Sequence, residues 1–284
     1  MKRTSLLRSV FIGLILLCAA DPPTTVAQSD AEMERKVITW VIPFKDGGGS
    51  DTWARFNAPF LSRHLPGSPE IVVRNVPGGG STKGANLYAQ SARPNGLTLL
   101  GTSASTQFPF LLGDSRVRYD YSQWTVLMVY PTGGVVYASP ELGIKNARDL
   151  TQLSKQKLTY ASQGTTSSDL VALLGLELLG INVRPIFGIR GGGGKRLAFM
   201  RGDTTIDFQT STAYLRDVVP MVKDGRAVPL FSFGVLDANG ALIRDPNFPD
   251  LPNIAEVYRD VHKRDPGGLA WDSWFAFFTA GFGA

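Results

Sequence analysis

Cysteine occurs once in the 284 residues, at Cys18, and histidine only twice, at His64 and His262. Cys18 lies inside an N-terminal stretch that reads as a removable leader. The chain left after removal holds no thiol, which excludes a disulfide, a thiolate nucleophile and a thiolate metal site. Such a chain suits an oxidising compartment and draws its stability from core burial. His64 closes a helix-like run beside "LPGSP", where a cation suits the helix C-terminus. His262 sits in the charged stretch "YRDVHKRD", which reads as solvated surface. Neither histidine has partners at metal-ligand or triad spacing, and no G-x-S-x-G elbow occurs. Past the leader, no apolar run is long enough to span a bilayer. Blocks of like charge are absent too: the net charge is +5, part of it on Lys2, Arg3 and Arg8. Nothing therefore calls for nucleic acid.

The leader itself has a positive n-region (Lys2, Arg3, Arg8), an apolar h-region "VFIGLILLCAA", and small residues at "TVA" before Gln28. A signal peptide over 1–27 is expected, with a membrane anchor as the alternative. Lipidation at Cys18 is disfavoured because Leu16 and Leu17 precede it where small residues are wanted. The remainder has ordinary globular composition, 43% hydrophobic and 19% charged, and its 31 glycines and 18 prolines suit many short loops.

Strand-like and helix-like runs alternate. "VITWVIPF", "EIVVRNV" and "LTLLGTSAS" read as strands around the helical runs "TWARFNAPFLSRHL" and "STKGANLYAQSA". This βαβαβ order predicts a parallel sheet covered by helices. "VLMVYPTGGVVYASP" reads as a strand pair or a crossing between lobes. The pattern then restarts with "KLTYAS", "SSDLVALLGLELLG", "VRPIFGI", "GGGGKRLAFMRG" and "TIDFQTS". Two βα lobes in tandem are expected, hinged near 130–139 and 231–235. The aromatic cluster Trp271, Trp274, Phe275, Phe277 and Phe278 reads as core.

Four glycine- or hydroxyl-rich loops follow predicted strands, "PFKDGGGSD" (43–51), "PGGGST" (77–82), "GTSAST" (101–106) and "SQGTTSSD" (162–169), and a fifth, "RGGGGK" (190–195), opens another helix. Ligands of open parallel sheets gather at the carboxyl ends of strands. A helix N-terminus there offers unpaired N–H groups and a positive dipole end, and glycine lets that backbone approach an anion. Each loop taken alone also suits a plain turn. Nucleotide patterns fail: a Walker lysine at Lys195 would need glycine where Ile189 stands and serine or threonine where Arg196 stands. G-x-G-x-x-G from Gly47 fails at Thr52. Asp51, in the first helical turn, either fixes the loop or meets a ligand donor.

Taken together, "VITWVIPFKDGGGSDTWAR", "VVRNVPGGGSTKGANLYAQSARPNGLTLLGTSAS", "LTYASQGTTSSDL", "FGIRGGGGKRLAFMRGDTTIDF" and "DLPNIAEVY" resemble the extracytoplasmic solute receptors of the tripartite tricarboxylate transporter family, the Bug-type binding proteins. The resemblance runs from about Val37 to the C-terminus. It implies an α/β, two-lobed periplasmic binding protein-like fold of type II, with parallel-rich sheets flanked by helices and a hinge between lobes. Lobe 1 would comprise 34–136 and 233–284, and lobe 2 137–232. The implied function is capture of a small organic carboxylate in the interlobe cleft for membrane transporter subunits, by a periplasmic monomer without cofactor or catalysis. Carried over by position, the contacts would be Phe44, Gly48, Gly49, Ser50, Asp51, Gly79, Gly80, Ser81 and Ser103 from the first lobe. Ser162, Thr165, Thr166 and Arg190 would come from the second.

This chain departs from the family pattern in four places. Asp169 stands where histidine is common, and a carboxylate facing the cleft would repel an anion. Gln163 replaces a glycine. Lys45 and Asp46 add charge to the first loop. The sequence stops at "AGFGA", where the family continues into a further segment and a final helix, so a truncated C-terminus is expected. Two other functions fit the same residues: a secreted hydrolase using a loop serine such as Ser50, Ser103 or Ser167, and a ligand sensor for a signalling partner.

Overall fold

The computed structural model describes residues 36–283; the expected leader and Cys18 lie outside them. The chain opens β1 (Val37–Ile42), α1 (Gly49–His64), β2 (Glu70–Asn75), α2 (Thr82–Ser91), β3 (Thr98–Leu100) and α3 (Ala104–Leu111). The three strands pair in parallel in the order β2-β1-β3, as the alternation of patterns predicts. β1 is apolar almost throughout because it is the central strand. On β2, at the edge, exposure alternates residue by residue, the pattern of a strand covered on one face. Ala54 and Ala58, one turn apart on α1, pack with Trp40 and Ile42 against this sheet.

A second sheet takes β4 (Gly134–Ala138), β5 (Leu158–Ala161), β6 (Val183–Ile186), β7 (Ile206–Thr210) and β8 (Val228–Ser232), in the order β6-β5-β7-β4-β8. β5 runs parallel to β6 and β7, whereas β4 is antiparallel to both its neighbours. α4 (Asp169–Leu178) and α5 (Gly191–Met200) cover it. β4 is buried on both faces. Val136 and Ala138 enter the main core with Leu150, Leu176 and Phe231; Val135 and Tyr137 enter a smaller one with Phe199, Tyr214 and Met221. A strand with helices on both sides needs this continuous apolar sequence. A short hairpin, β9 (Val235–Leu236) with β10 (Leu242–Ile243), leads to α6 (Ile254–His262) and α7 (Leu269–Gly281). Asn253 and Glu256 form a reciprocal capping box at the start of α6.

The molecule thus has two α/β lobes. Their expected limits need correction. A boundary at 136/137 falls inside β4, all of whose pairing is with the second sheet. The assignment of 233–284 to the first lobe fails as well. α6 packs Ile254, Val257 and Tyr258 into the core of the second lobe, and Trp274 of α7 donates its indole N–H to the Val171 carbonyl of α4. α7 also reaches the first lobe through α3, where Phe277 meets Phe108 edge-on. Of the two expectations for "VLMVYPTGGVVYASP", the strand pair reduces to β4 alone, while the segment does cross from the first sheet's elements to the second sheet. Val126 to Tyr130 run exposed and without regular structure. His262 is half-buried rather than solvated, its Nε2 2.7 Å from the Leu178 carbonyl at the end of α4.

Candidate functional site

The first loop is built around a buried carboxylate. Asp51 accepts hydrogen bonds from the Gly47 N–H at 2.8 Å, from Asn75 Nδ2 at 2.9 Å and from Arg55 Nε at 3.0 Å. Asn75 also donates to the Phe44 carbonyl, so both ends of the loop hang on these side chains. Burial pushes the Asp51 carboxyl up, but the Arg55 and Gly47 donors outweigh this and hold it below the usual aspartate value. Asp51 therefore shapes the loop. Gly47, at φ +73°, takes a conformation that side chains resist, and the chain then enters α1.

Across from this loop, Arg190 and Gly191 begin α5. Between them lies an open cleft of about 580 Å³. Its first-lobe wall is Phe44 to Ser50 and Ser103 to Ser105; its second-lobe wall includes Gln163, Ser168, Gly191 to Gly194, Gln209 and Thr210. Gly49 and Thr210 face one another across it: a Cβ on Gly49 would stand 3.0 Å from Thr210 Oγ1. Neither α1 nor α5 has a side-chain cap at its N-terminus. Two helix ends from opposite lobes thus present uncapped N–H groups and positive dipole ends to one cavity. α3 differs, because Ser103 caps it by accepting from the Ser105 N–H.

Six of the residues expected from the sequence line this cleft: Phe44, Gly48, Gly49, Ser50, Ser103 and Arg190. The others do not, and each has a physical reason. Asp51 is spent on the loop. Gly79 and Gly80 form a left-handed turn behind it (φ +60° and +69°), and buried Ser81 donates its hydroxyl to the Ser105 carbonyl. Ser162 is buried and donates to Asp169 at 3.2 Å. Thr165 points to solvent. Thr166 donates to Asp114 at 3.3 Å, a carboxylate held far below its usual range by the Arg116 hydrogen bond.

Several cleft residues escaped the sequence. Ser105 and Ser168 lie inside hydroxyl-rich loops, and their hydroxyls bond each other at 3.0 Å across the lobes. Gly191 to Gly194 were visible as a loop but not as a wall. Gln209, which donates to the Gly192 carbonyl at 2.8 Å, and Thr210 come from the end of β7, where no motif marks them. Phe208 and Phe282 add an apolar floor, their rings 5.9 Å apart.

Beneath the second-lobe wall is a buried charge cluster. Lys195 donates to Asp169, and its Nζ lies 3.2 Å from the Phe208 carbonyl and 3.7 Å from an Asp207 oxygen. Asp169 also accepts from the Gln163 N–H at 2.8 Å, Tyr160 Oη at 2.9 Å and Ser167 Oγ at 3.0 Å. Burial pushes its carboxyl up, yet the Lys195 charge, with these donors, holds it below the ordinary aspartate value. Asp207 goes the other way: burial dominates and raises it, despite Lys195 and a hydrogen bond from Tyr137. The repulsion that a carboxylate at 169 would exert from the cleft therefore does not arise. Asp169 points inward, neutralised, and holds the 162–168 loop in shape.

Arg216, on a π turn at Tyr214–Val218, crosses between lobes. It donates to the Gly47 carbonyl at 3.0 Å and to Thr52 Oγ1, while Asp217 holds its guanidinium from below. π turns often mark functional positions. Arg216→Ala is expected to favour the open form. The apparent Kd should then rise several-fold as the competent fraction falls, with a larger radius of gyration in scattering. Unchanged values of both would show that this contact does not bias closure.

Among the described residues, no group of three or more histidine, cysteine or acidic side chains is placed to hold a metal, and no helix is long and apolar enough to cross a membrane. The family model of the tripartite tricarboxylate transporter family receptor matches residues 54–279. A protein encoded in the tcbD-tcbE intergenic region of Pseudomonas sp. (strain P51) is 27% identical over 266 residues, covering 88% of this chain and 71% of that protein. The periplasmic binding protein BugD superposes with a TM-score of 0.65 at 21% identity, over 86% of this chain and 82% of BugD. MatC from Rhodopseudomonas palustris, solved with bound malate, gives 0.64 at 20% identity, over 86% and 87%.

Proposed function

The chain belongs to the tripartite tricarboxylate transporter family of receptors, and from that premise we propose that it captures a small organic carboxylate between its lobes and hands it to a membrane transporter. Members of the family are substrate-binding receptors of the periplasm, not enzymes. The observation that carries the proposal is the pair of uncapped helix N-termini, α1 and α5, opening from opposite lobes into the same cleft. A carboxylate placed there takes backbone N–H groups from both sides. Hydroxyls of Ser50, Ser103 and Thr210 stand in the same walls. Charge-assisted hydrogen bonds of this kind are roughly twice as strong as neutral ones. Malate in MatC supports a compact acid as the ligand class.

Because both lobes contribute, the ligand gains contacts in the closed form that the open form lacks, and this difference drives closure. Calorimetry and thermal shift against a panel of di-, tri- and aromatic carboxylates test the reading. Saturable binding with a raised Tm is expected for at least one acid. A folded protein that binds none of the panel would contradict it.

A further inference from the structure

Behind the second-lobe wall, two wholly buried carboxyls share one ammonium. Asp169 on α4 and Asp207 on β7 are both 0% exposed, and Lys195 on α5, 2% exposed, is their cation. Lys195 serves them unequally. It donates to Asp169, whereas Oδ1 of Asp207 lies 3.7 Å from its Nζ, beyond hydrogen-bond reach. Among the described residues, Asp207 Oδ1 accepts no hydrogen bond; Oδ2 accepts from Tyr137 and, at 2.9 Å, from Gln209 Nε2. The other titratable groups facing the pair do not supply the missing cation. Burial pushes the phenols of Tyr160 on β5 and Tyr137 on β4 well above their usual value, which keeps both neutral. Arg196 of α5, on the Tyr137 side, is already paired with Asp217 of the π turn at 2.8 Å, and burial pushes Tyr214 of that turn up to about 12. A surplus negative charge in a buried site is costly. A proton on Asp207 Oδ1 removes the surplus and displaces no hydrogen-bond donor, and burial raises the Asp207 carboxyl in the same sense. The cluster meets the cleft through Gln209, whose amide also donates to the Gly192 carbonyl at 2.8 Å. Its two N–H donations thus tie the first turn of α5 to Asp207. Gly192, Lys195, Phe208 and Gln209 all line the cleft, so Asp207 stands one side chain behind its wall.

Resting on the carboxylate-receptor reading, we propose that Asp207 is a proton-carrying positioning residue: through Gln209 it fixes the first turn of α5, and an anion captured at that turn draws a proton onto the Asp207 carboxyl. The sign follows from electrostatics. A carboxylate at the end of α5 disfavours a further negative charge behind the wall, so capture favours the protonated form of Asp207. By reciprocity the proton strengthens capture by the same factor. Affinity is therefore highest in acid and falls as pH rises through the Asp207 titration, provided the ligand's own carboxyls stay ionised. Asp169, held charged by Lys195, takes no part in this exchange.

Two measurements test this, one of them without ligand. Infrared spectra of the unliganded protein are compared with those of Asp207→Asn; the wild type should show the C=O stretch of a protonated carboxyl that the variant lacks. Isotope-edited NMR of the aspartate carboxyls gives the same titration in the wild type, should the variant not fold. Calorimetry with malate then follows Kd from about pH 5 to pH 9, the range in which carboxyls raised by burial titrate, in buffers of different ionisation enthalpy. After malate's own protonation is subtracted, the wild type should take up a fraction of a proton on binding and lose about fivefold or more in affinity as pH rises, an ordinary strength for coupling between two sites. Asp207→Asn should bind with no proton uptake and a flat pH profile. Gln209→Met should bind more weakly, keep the infrared band and lose most of the pH slope. Absence of the carboxyl band, a flat wild-type profile, or a slope that survives Asp207→Asn overturns the role of Asp207; a wild-type profile in Gln209→Met overturns the path through Gln209. If malate does not bind but another acid of the carboxylate panel does, the same titration with that acid decides. Binding without proton uptake removes only this inference, whereas no binding by any acid removes the receptor reading and the linkage together.

Discussion

Lys195→Met is expected to destabilise the fold by about 3–5 kcal/mol, the usual cost of removing one partner of a buried ion pair. Methionine nearly matches the aliphatic volume of lysine, so little cavity is left. What remains is the carboxylate of Asp169, wholly buried and stripped of its countercharge, beside a second buried acid at Asp207. Against a typical total of about 5–15 kcal/mol, that loss is large enough to read in a urea titration. Lys195→Met combined with Asp169→Asn should recover a good part of it. Asparagine can still accept from Gln163, Ser162 and Ser167, and the charge at 169 is gone, which leaves Asp207 as the acid of the cluster without a cation. A loss below about 1 kcal/mol in the single variant would show that the pair does not hold the lobe.

The pH dependence gives a second readout of the same cluster. Asp169 sits below its ordinary value in the folded state. Its contribution is therefore complete above the unfolded aspartate pKa and is lost as pH falls through the depressed folded value. Asp207 is raised, so its contribution has the opposite sign: it is complete below the unfolded pKa and fades as pH rises through the raised one. The wild type is expected to lose stability in acid chiefly through Asp169. Lys195→Met should flatten that acid limb, since Asp169 without its cation no longer prefers the charged form.

This cluster also shows how far the sequence could be read. The alternation of strand and helix patterns, the parallel order of the first sheet and the glycine-rich strand ends were all visible, because they depend on local periodicity and on residues needing special backbone angles. The lobe limits were not. β4 is a run of five apolar residues that could border either sheet, and only its pairing with β7 and β8 assigns it. The site divided in the same way. Loop residues such as Gly48, Gly49 and Ser50 were legible from their motif. Ser81, Ser162 and Thr166 look identical to ligand contacts in sequence, yet their hydroxyls are consumed by Ser105, Asp169 and Asp114. Lys195 fails the nucleotide pattern at Ile189 and Arg196. Its true partner, 26 residues upstream, is found only when α4 and α5 are packed side by side on one sheet.

Gly49→Leu is expected to weaken ligand binding at least a hundredfold while leaving the unliganded Tm close to that of the wild type. Gly49 is the first residue of α1, and its φ is not in the left-handed region, so the backbone itself admits a side chain. The obstacle lies across the cleft. A bare Cβ already reaches within 3.0 Å of Thr210 Oγ1, and a hydroxyl on one rotatable bond can yield a few tenths of an ångström to a methyl. An isobutyl group cannot be accommodated that way. It fills the space between the two uncapped helix ends and props Thr210 away from the first loop, so a carboxylate can no longer take N–H groups from both lobes together. The core beneath is untouched, and half-exposed substitutions away from core, caps and strain cost little. At a ligand concentration a hundred times the wild-type Kd, binding adds about 2.7 kcal/mol to stability; a Kd raised a hundredfold leaves about 0.4 kcal/mol at the same concentration. The ligand-induced Tm shift should therefore nearly vanish in the variant, with Gly49→Ala falling between the two. A full shift in Gly49→Leu would mean that "DGGGS" is only a turn and that the carboxylate is held elsewhere.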